Sequence, residues 1–468
     1  MILSSRSFIG AAVLMSGSPC ALADDWGTSV GGNPARTGLS FESGPIAPTV
    51  LWQGSVTSTI AQQAVIEADT VVLCRVSEPK NILHGATIVA QNLFDGAALW
   101  QAELPIDAPL TDWRTGLCGI NSGRIYATRA GNGHESYMYA LSGLDGSIVW
   151  RSTAMVDEVS TRSVTFTPNG DIIAGNASAV MLLSATDGST LWTTPRQSPT
   201  TASCVSAVAN GRVYVWEGQP DGPRVVELDA QTGQRLYASV AIGGGPNQHL
   251  GLMVGPDGSV YAPHTSEDGT NCFFVALTDS GSALVERWRR AMPAIANSSS
   301  AIALDGSIYT HMITPWYGVV HLDSTNGSVI NFSTEILTDS RTPRIATDSV
   351  GNVFYTNGGN TLGRVYAYTA VLEPRWSRSF PGLGAAGPSI GQQGIMVIGG
   401  AGDLVKAYRA HPPIPACLCN WNGDDRLDSQ DFFDYLTDFF QNNADFNQSG
   451  WTDSQDFFDF MNCFFEGC

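Results

Sequence analysis

Lysine and arginine are scarce in this chain, 24 against 43 aspartates and glutamates, which leaves a formal net charge of −19. Binding to phosphate backbones or anionic membrane surfaces needs clustered cations, so nucleic acid and lipid headgroups are excluded as principal partners. Long apolar runs are missing too: past residue 23 no stretch approaches the ~20 apolar residues of a membrane span. The chain contains no Cys-x-x-Cys, no adjacent Cys-Cys and no His-Glu-x-x-His. With them go the usual sequence signatures of structural zinc, of c-type haem attachment and of zinc peptidases.

What is present begins with an export leader. Arg6, the apolar run from Phe8 to Met15 and the small-residue site Ala21-Leu22-Ala23 predict a signal peptide over residues 1–23, with a mature, secreted or cell-surface protein starting at Asp24. Cys20 would be lost with the leader, leaving eight cysteines in an oxidising compartment. Cys417, Cys419, Cys463 and Cys468 bracket the last 52 residues, and pairing there would staple a unit too small to rely on its core. The partners of Cys74, Cys118, Cys204 and Cys272 cannot be read from sequence.

The middle of the chain repeats itself every 41 to 54 residues. One marker is a turn followed by a β-branched strand, as in NSGRIYA around Gly123, ANGRVYV around Gly211 and LDGSIYT around Gly306, with seven clear copies and a degenerate eighth, EADTVVL, at Glu67. The other is a strand, a Gly turn and a strand ending on an aromatic: AQNLFDGAALW to Trp100, ALSGLDGSIVW to Trp150 and LLSATDGSTLW to Trp192, with Tyr237 and Asn331 in that slot in later copies. Eight inner units against seven complete outer hairpins predict an all-β, eight-bladed propeller, with seven blades as the alternative. The eighth blade is completed by joining LVKAYRA near the end to TVLWQG around Trp52. One Trp per blade has one packing task, so these rings are structural.

The spacing of Ala, Gly and Trp resembles the tryptophan-docking repeat of pyrroloquinoline-quinone (PQQ) type propellers, and WGTSVGGNPARTG from Trp26 to Gly38 is similar to that family's entry segment. The resemblance covers residues 24–410 and implies a fold more than an activity, because the superfamily includes quinone-dependent dehydrogenases, outer-membrane assembly lipoproteins and proteins without known chemistry. A quinone cofactor is not expected: the family's enzymes often carry a vicinal disulfide over the cofactor, and this chain has no adjacent cysteines. Counted at three residues past the Tyr of their turn-strand units, His264 and His311 would sit at equivalent ends of neighbouring blades, the single hint of a shared pocket.

After a Pro-rich linker at 411–416, residues 417–468 contain one twelve-residue loop pattern twice, 25 residues apart: NWNGDDRLDSQD from Asn420 and DFNQSGWTDSQD from Asp445. Oxygen-bearing side chains recur at loop positions 1, 3, 5, 9 and 12, as a hard cation with six to eight oxygen ligands requires. The candidate ligands are Asp445, Asn447, Ser449, Asp453 and Asp456 with the Trp451 carbonyl, and Asn420, Asn422, Asp424, Asp428 and Asp431 with the Arg426 carbonyl. Gly450 gives the second loop its sharp turn, whereas Asp425 stands at that place in the first, so two calcium sites are expected, the second the stronger.

Both loops close with Asp where an EF-hand has Glu, and each is followed by one Phe-rich helix. The segment therefore resembles a dockerin of the kind ending in Gly-Cys. That resemblance implies a small α-helical docking module whose partner is cohesin-like or a cell-surface protein. It places contact at Ser429-Gln430 and Ser454-Gln455, inside the repeated heptapeptide DSQDFFD. The resulting expectation is a secreted, non-catalytic propeller that binds a protein or glycan and is attached through a calcium-ordered tail. The alternatives are a polysaccharide-active enzyme on a propeller scaffold and a PQQ-dependent dehydrogenase.

Overall fold

The computed structural model describes residues 26–466 apart from 55–61, 76–86, 109–111, 113, 132–133, 158–163, 198–205, 244–250, 267–271, 293–297, 313–317, 335–341, 360, 401–404, 410–418, 423–426 and 448–451. The leader at 1–23 and the linker at 411–416 lie outside the described residues.

Eight four-stranded antiparallel sheets form the blades. In blades 1 to 7 the strands follow chain order from the axis outward, as in blade 2 with Thr115–Asn121, Arg124–Arg129, Glu135–Ser142 and Ile148–Asp157. Blade 8 takes Ser389–Ile390, Met396–Ile398 and Lys406–Tyr408 from the end of the ring and its outer strand, Val50–Gln53, from the beginning, with Trp52 opposite Ala407. The expected ring closure is therefore present, and eight is the blade number. Inner strands are buried on both faces, while outer strands alternate, as in Leu284–Ala291, because only one of their faces meets the neighbouring blade.

The repeated Trp and Gly are the two halves of one contact. In five junctions the indole N–H of one blade donates to the carbonyl three residues before the turn glycine of the next: Trp52 to Leu93, Trp100 to Gly143, Trp150 to Ala185, Trp192 to Ala230 and Trp288 to Ser324, at 2.7–3.2 Å. The ring lies flat on that glycine. At Gly188, with φ +70°, a Cβ would sit 2.5 Å from the Trp150 ring, so neither the backbone nor the packing tolerates a side chain. Where Tyr237 fills the slot its hydroxyl donates to the Gly281 carbonyl at 2.6 Å, and where Asn331 fills it the amide donates to the Val371 carbonyl.

The residue paired across the sheet from the slot covaries with it. Ala90, Ala140, Ala276 and Ala367 face Trp100, Trp150, Trp288 and Trp376, and Leu182 faces Trp192. Glu227 faces Tyr237, and His321 faces Asn331. A smaller slot residue leaves room for a larger polar partner, and two of the eight junctions are thereby made polar.

The helical tail is built on an internal two-fold relation. Helix α1, Ser429–Phe440, and helix α2, Ser454–Glu466, pack through Tyr435 and Phe460, stacked at 3.8 Å. Phe432 meets Phe464 at 5.9 Å and Phe439 meets Phe457 at 5.8 Å, the same contact written twice at a shift of 25 residues.

Candidate functional site

Each loop of the tail is closed by its own last carboxylate. Asp431, fully buried, accepts from the backbone N–H of Asn422 at 3.2 Å and of Asp428 at 2.9 Å; Asp456, equally buried, accepts from Asn447 at 3.0 Å and Asp453 at 2.8 Å. Asp428 and Asp453 meanwhile accept from Gln430 and Gln455 at 2.8 Å, which caps the two helices and, at α1, completes a capping box. Positions 9 and 12 thus lock loop to helix, and the side chains offered are all hard oxygen donors, the chemistry calcium selects.

Of the candidate ligands, Asp424, Arg426, Ser449 and Trp451 lie outside the described residues. Among the described residues no three His, Cys, Asp or Glu side chains form a metal cluster. Ser429, Gln430, Ser454 and Gln455 are exposed on the first turns of the two helices, where Gln430 donates to Asp434 and Gln455 to Asp459, both at 2.8 Å. Beside them the duplicated faces expose Phe433 and Phe440 on α1 and Phe458 and Phe465 on α2, at 58–78%. One disulfide joins Cys419 to Cys463, tying the mouth of the first loop to the middle of α2; Cys417 and Cys468 lie outside the described residues.

In the propeller, the entry segment noticed in the sequence proves to be an axial strap. Innermost strands present an unpaired edge of N–H and C=O groups to the axis, and such groups need partners. The strap supplies them in turn: the carbonyls of Trp26, Gly27, Pro34, Ala35, Thr37 and Gly38 accept from Ile66, Ile120, Val208, Val254, Ile302 and Thr347 at 2.7–3.0 Å. Pro34 also accepts from the Thr165 hydroxyl at 3.1 Å, so seven of the eight blades are bonded by one short segment. Arg36, buried and at φ +57°, donates to the carbonyls of Ser206, Val30 and Val164. Asp348 holds the far end of the strap through the N–H of Gly44 at 2.9 Å. Nothing periodic marks this segment, and its Gly-Gly-Asn-Pro-Ala-Arg spelling was the only available signal.

The histidine pocket expected from sequence is not formed. His264 stands three residues after Tyr261 but His311 only two after Tyr309, and alternation along a strand sends them to opposite sides. His264 packs toward Trp216 of blade 4, with ring centroids 6.0 Å apart. His311 stacks on Tyr355 of blade 7 and shares a 2.8 Å hydrogen bond with its hydroxyl. Burial pulls the His311 pKa down to about 3, so it stays neutral.

Other nucleophile candidates are also committed to structure. Gly27–Gly31 and Gly387–Gly391 both spell Gly-x-Ser-x-Gly, yet neither lies on the strand-to-helix turn a nucleophile elbow needs. Ser29 is buried in the strap, and Ser389 donates to the Ala64 carbonyl at 2.8 Å. Cys74 and Cys118 are buried thiols, Cys74 pushed up to about 12 by desolvation.

Sequence reasoning missed the polar junction between blades 4 and 5. Glu227 is buried there, 3.0 Å from Arg212 Nε, with Asp279 and Tyr214 beside it. Burial pushes its pKa up to about 7, and the negative charge of Asp279 pushes the same way against Arg212. In the other polar junction His321 stacks on Tyr309 at 4.8 Å with neither ring nitrogen hydrogen-bonded among the described residues, and burial lowers its pKa.

Among solved structures, quinohemoprotein alcohol dehydrogenase from Comamonas testosteroni is 12% identical over 84% of this chain and 81% of its own, with a TM-score of 0.58. BamB from Moraxella catarrhalis is 12% identical, covering 77% of this chain and 97% of its own, at 0.54, and the computationally designed Ika8 protein is 10% identical, covering 77% and 99%, at 0.55. An enzyme, an assembly factor and a designed protein, each only 10–12% identical, establish a likeness of fold alone. No curated protein sequence matches the chain. The family profile described as outer membrane protein assembly factor BamB matches residues 84–331, more than half of the 468 residues, and the chain belongs to this family of PQQ-like propellers.

Proposed function

We propose that this is a secreted, non-catalytic propeller that binds a protein or glycan and is fastened to a cohesin-like or cell-surface partner by a calcium-ordered, dockerin-like tail. The observation that carries the reading is the duplication in the tail, where two loops closed by buried Asp431 and Asp456 lead into two helices with the same exposed face. Calcium would be held by Asp445, Asn447, Ser449, Asp453, Asp456 and the Trp451 carbonyl, and more weakly by Asn420, Asn422, Asp424, Asp428, Asp431 and the Arg426 carbonyl. The ion would offset the crowding of eleven acidic groups against one arginine in residues 415–468.

Ser429 and Gln430 with Phe433 and Phe440 on α1, and Ser454 and Gln455 with Phe458 and Phe465 on α2, are exposed at equivalent places of the two helices. Exposed aromatic side chains in such number are the usual mark of a protein contact. Commitment of Ser29, Ser389, Cys74 and His311 to buried packing supports binding over catalysis.

Amide hydrogen exchange on the full chain, with calcium and with chelator, tests the tail. Chelation is expected to strip protection from residues 419–466 and leave the blades unchanged. Equal protection in both conditions would reject the calcium-ordered tail.

A further inference from the structure

The geometry points to a binding site for an uncharged pyranose saccharide in the groove between blades 3 and 4, on the face that carries the tight turns. This rests on reading the propeller as a binding module and names its ligand class and position. The groove has a volume of about 610 Å³, within the range of small-ligand sites. Its apolar wall is Pro168, Leu182, Leu191 and Trp192; its polar groups are Asn169, Asp171, Arg212, Asp229, Gln231 and Thr232.

Departure from the repeat singles this junction out. Trp52, Trp150, Trp288 and Trp376 are each 8% exposed, whereas Trp192 is half-buried and reaches the groove. Trp100 is also half-buried, but it faces Ala90, while Trp192 alone faces a leucine, Leu182. Leu191 next to it is 53% exposed. An indole edge flanked by aliphatic groups suits the C–H face of a sugar ring, which is apolar and flat.

Around that wall, hydrogen-bonding capacity is left over. Asp171 uses one carboxylate oxygen to accept from Ala185 N–H at 2.9 Å, and its second has no partner among the described residues. Arg212 spends Nε on Glu227 and Nη1 on Asp229. The side-chain amides of Asn169 and Gln231 are exposed and make no hydrogen bond to the described residues. Donors and acceptors of both kinds match vicinal hydroxyls, and two carboxylates against one guanidinium leave one net negative charge, which turns an anionic ligand away. The turn at Thr167-Pro168-Asn169 also borders a second recess of about 270 Å³ beside the strap, lined by Asn33, Glu67 and Asn121, so a chain of more than one ring has a path toward the axis.

Repetition supplies the control, because Leu99 of blade 1 stands where Leu191 stands in blade 3. Saturation-transfer NMR on the full chain with cellobiose, maltose and xylobiose, each up to about 10 mM, is the experiment. At least one disaccharide should bind, weakened tenfold or more by Leu191→Glu and by Gln231→Ala and unaffected by Leu99→Glu, with thermal melting of all three variants unchanged. Binding that ignores Leu191→Glu and Gln231→Ala would overturn the groove while leaving a binding propeller elsewhere. No binding of any of the three sugars would overturn the saccharide assignment. Capture of a protein by the same full chain would then decide separately whether the propeller is a binding module.

Discussion

Replacing Glu227 with glutamine should change how the ring's stability responds to pH. The carboxyl is buried between blades 4 and 5, in a place where most blades carry alanine, and its pKa rises from an ordinary 4.5 to about 7. Below pH 4.5 both folded and unfolded chains hold the proton, and the site costs nothing beyond its burial. As pH climbs, the unfolded chain ionises first while the fold keeps its proton, so stability is lost between pH 4.5 and about 7 and is level above that. The lift corresponds to roughly 3 kcal/mol. Glutamine fills the same volume without titrating, so the Glu227→Gln variant should gain about that much on the wild type between pH 4.5 and 7.5. Urea unfolding of both proteins at half-unit pH steps, followed by tryptophan fluorescence, measures the difference directly. A constant difference across that range would refute the reasoning. It would mean that the Arg212 guanidinium, 3.0 Å away, outweighs burial and Asp279 and keeps Glu227 ionised throughout.

Gly188→Ala forces a methyl group to within 2.5 Å of the Trp150 ring at φ +70° and should cost about 2–4 kcal/mol in urea unfolding; Gly211→Ala, equally left-handed but with open space around it, should cost only about 1. Arg36→Met leaves three strap and blade carbonyls without their donor and should lower stability by roughly 3 kcal/mol, with faster amide exchange at Val208 and Val254 as the local sign. Cys463→Ser opens the Cys419–Cys463 link across 44 residues, worth about 4 kcal/mol on chain-entropy grounds, and calorimetry should show the tail's transition falling while the ring's stays put.

The ring was legible because repetition compensates for weak local signals. A single turn-strand unit is ambiguous, but eight of them spaced 41 to 54 residues apart, with only seven complete outer hairpins, leave the closing strand nowhere to be but at Trp52. Packing details that depend on departures from the repeat were not legible. The pairing of Glu227 with Tyr237 and of His321 with Asn331 shows up only when the register is known, since a one-residue bulge separates each slot from its turn. The same sensitivity undid the histidine pocket: one residue of difference after Tyr261 and Tyr309 reverses the direction of the side chain. The strap was visible as a family-like spelling and not as a structure, because a segment that bonds through its carbonyls leaves little pattern in its side chains. In the tail, the repeated pattern foretold one helix after each loop, and each helix begins at the Ser of its DSQD run.

The path of the strap also sets the order in which the molecule can be assembled. Trp26 to Gly44 precedes every blade strand in the chain, yet its bonding partners are spread as far as Thr347, and the strand at Trp52 waits for Ala407. Until residue 408 has been made, every earlier stage is an open arc wound about its own leading end, with bare strand edges at both extremities. A chain cut short anywhere before the last blade should therefore yield sticky fragments in place of a smaller toroid, and the ring can close only once residues 406–408 are present.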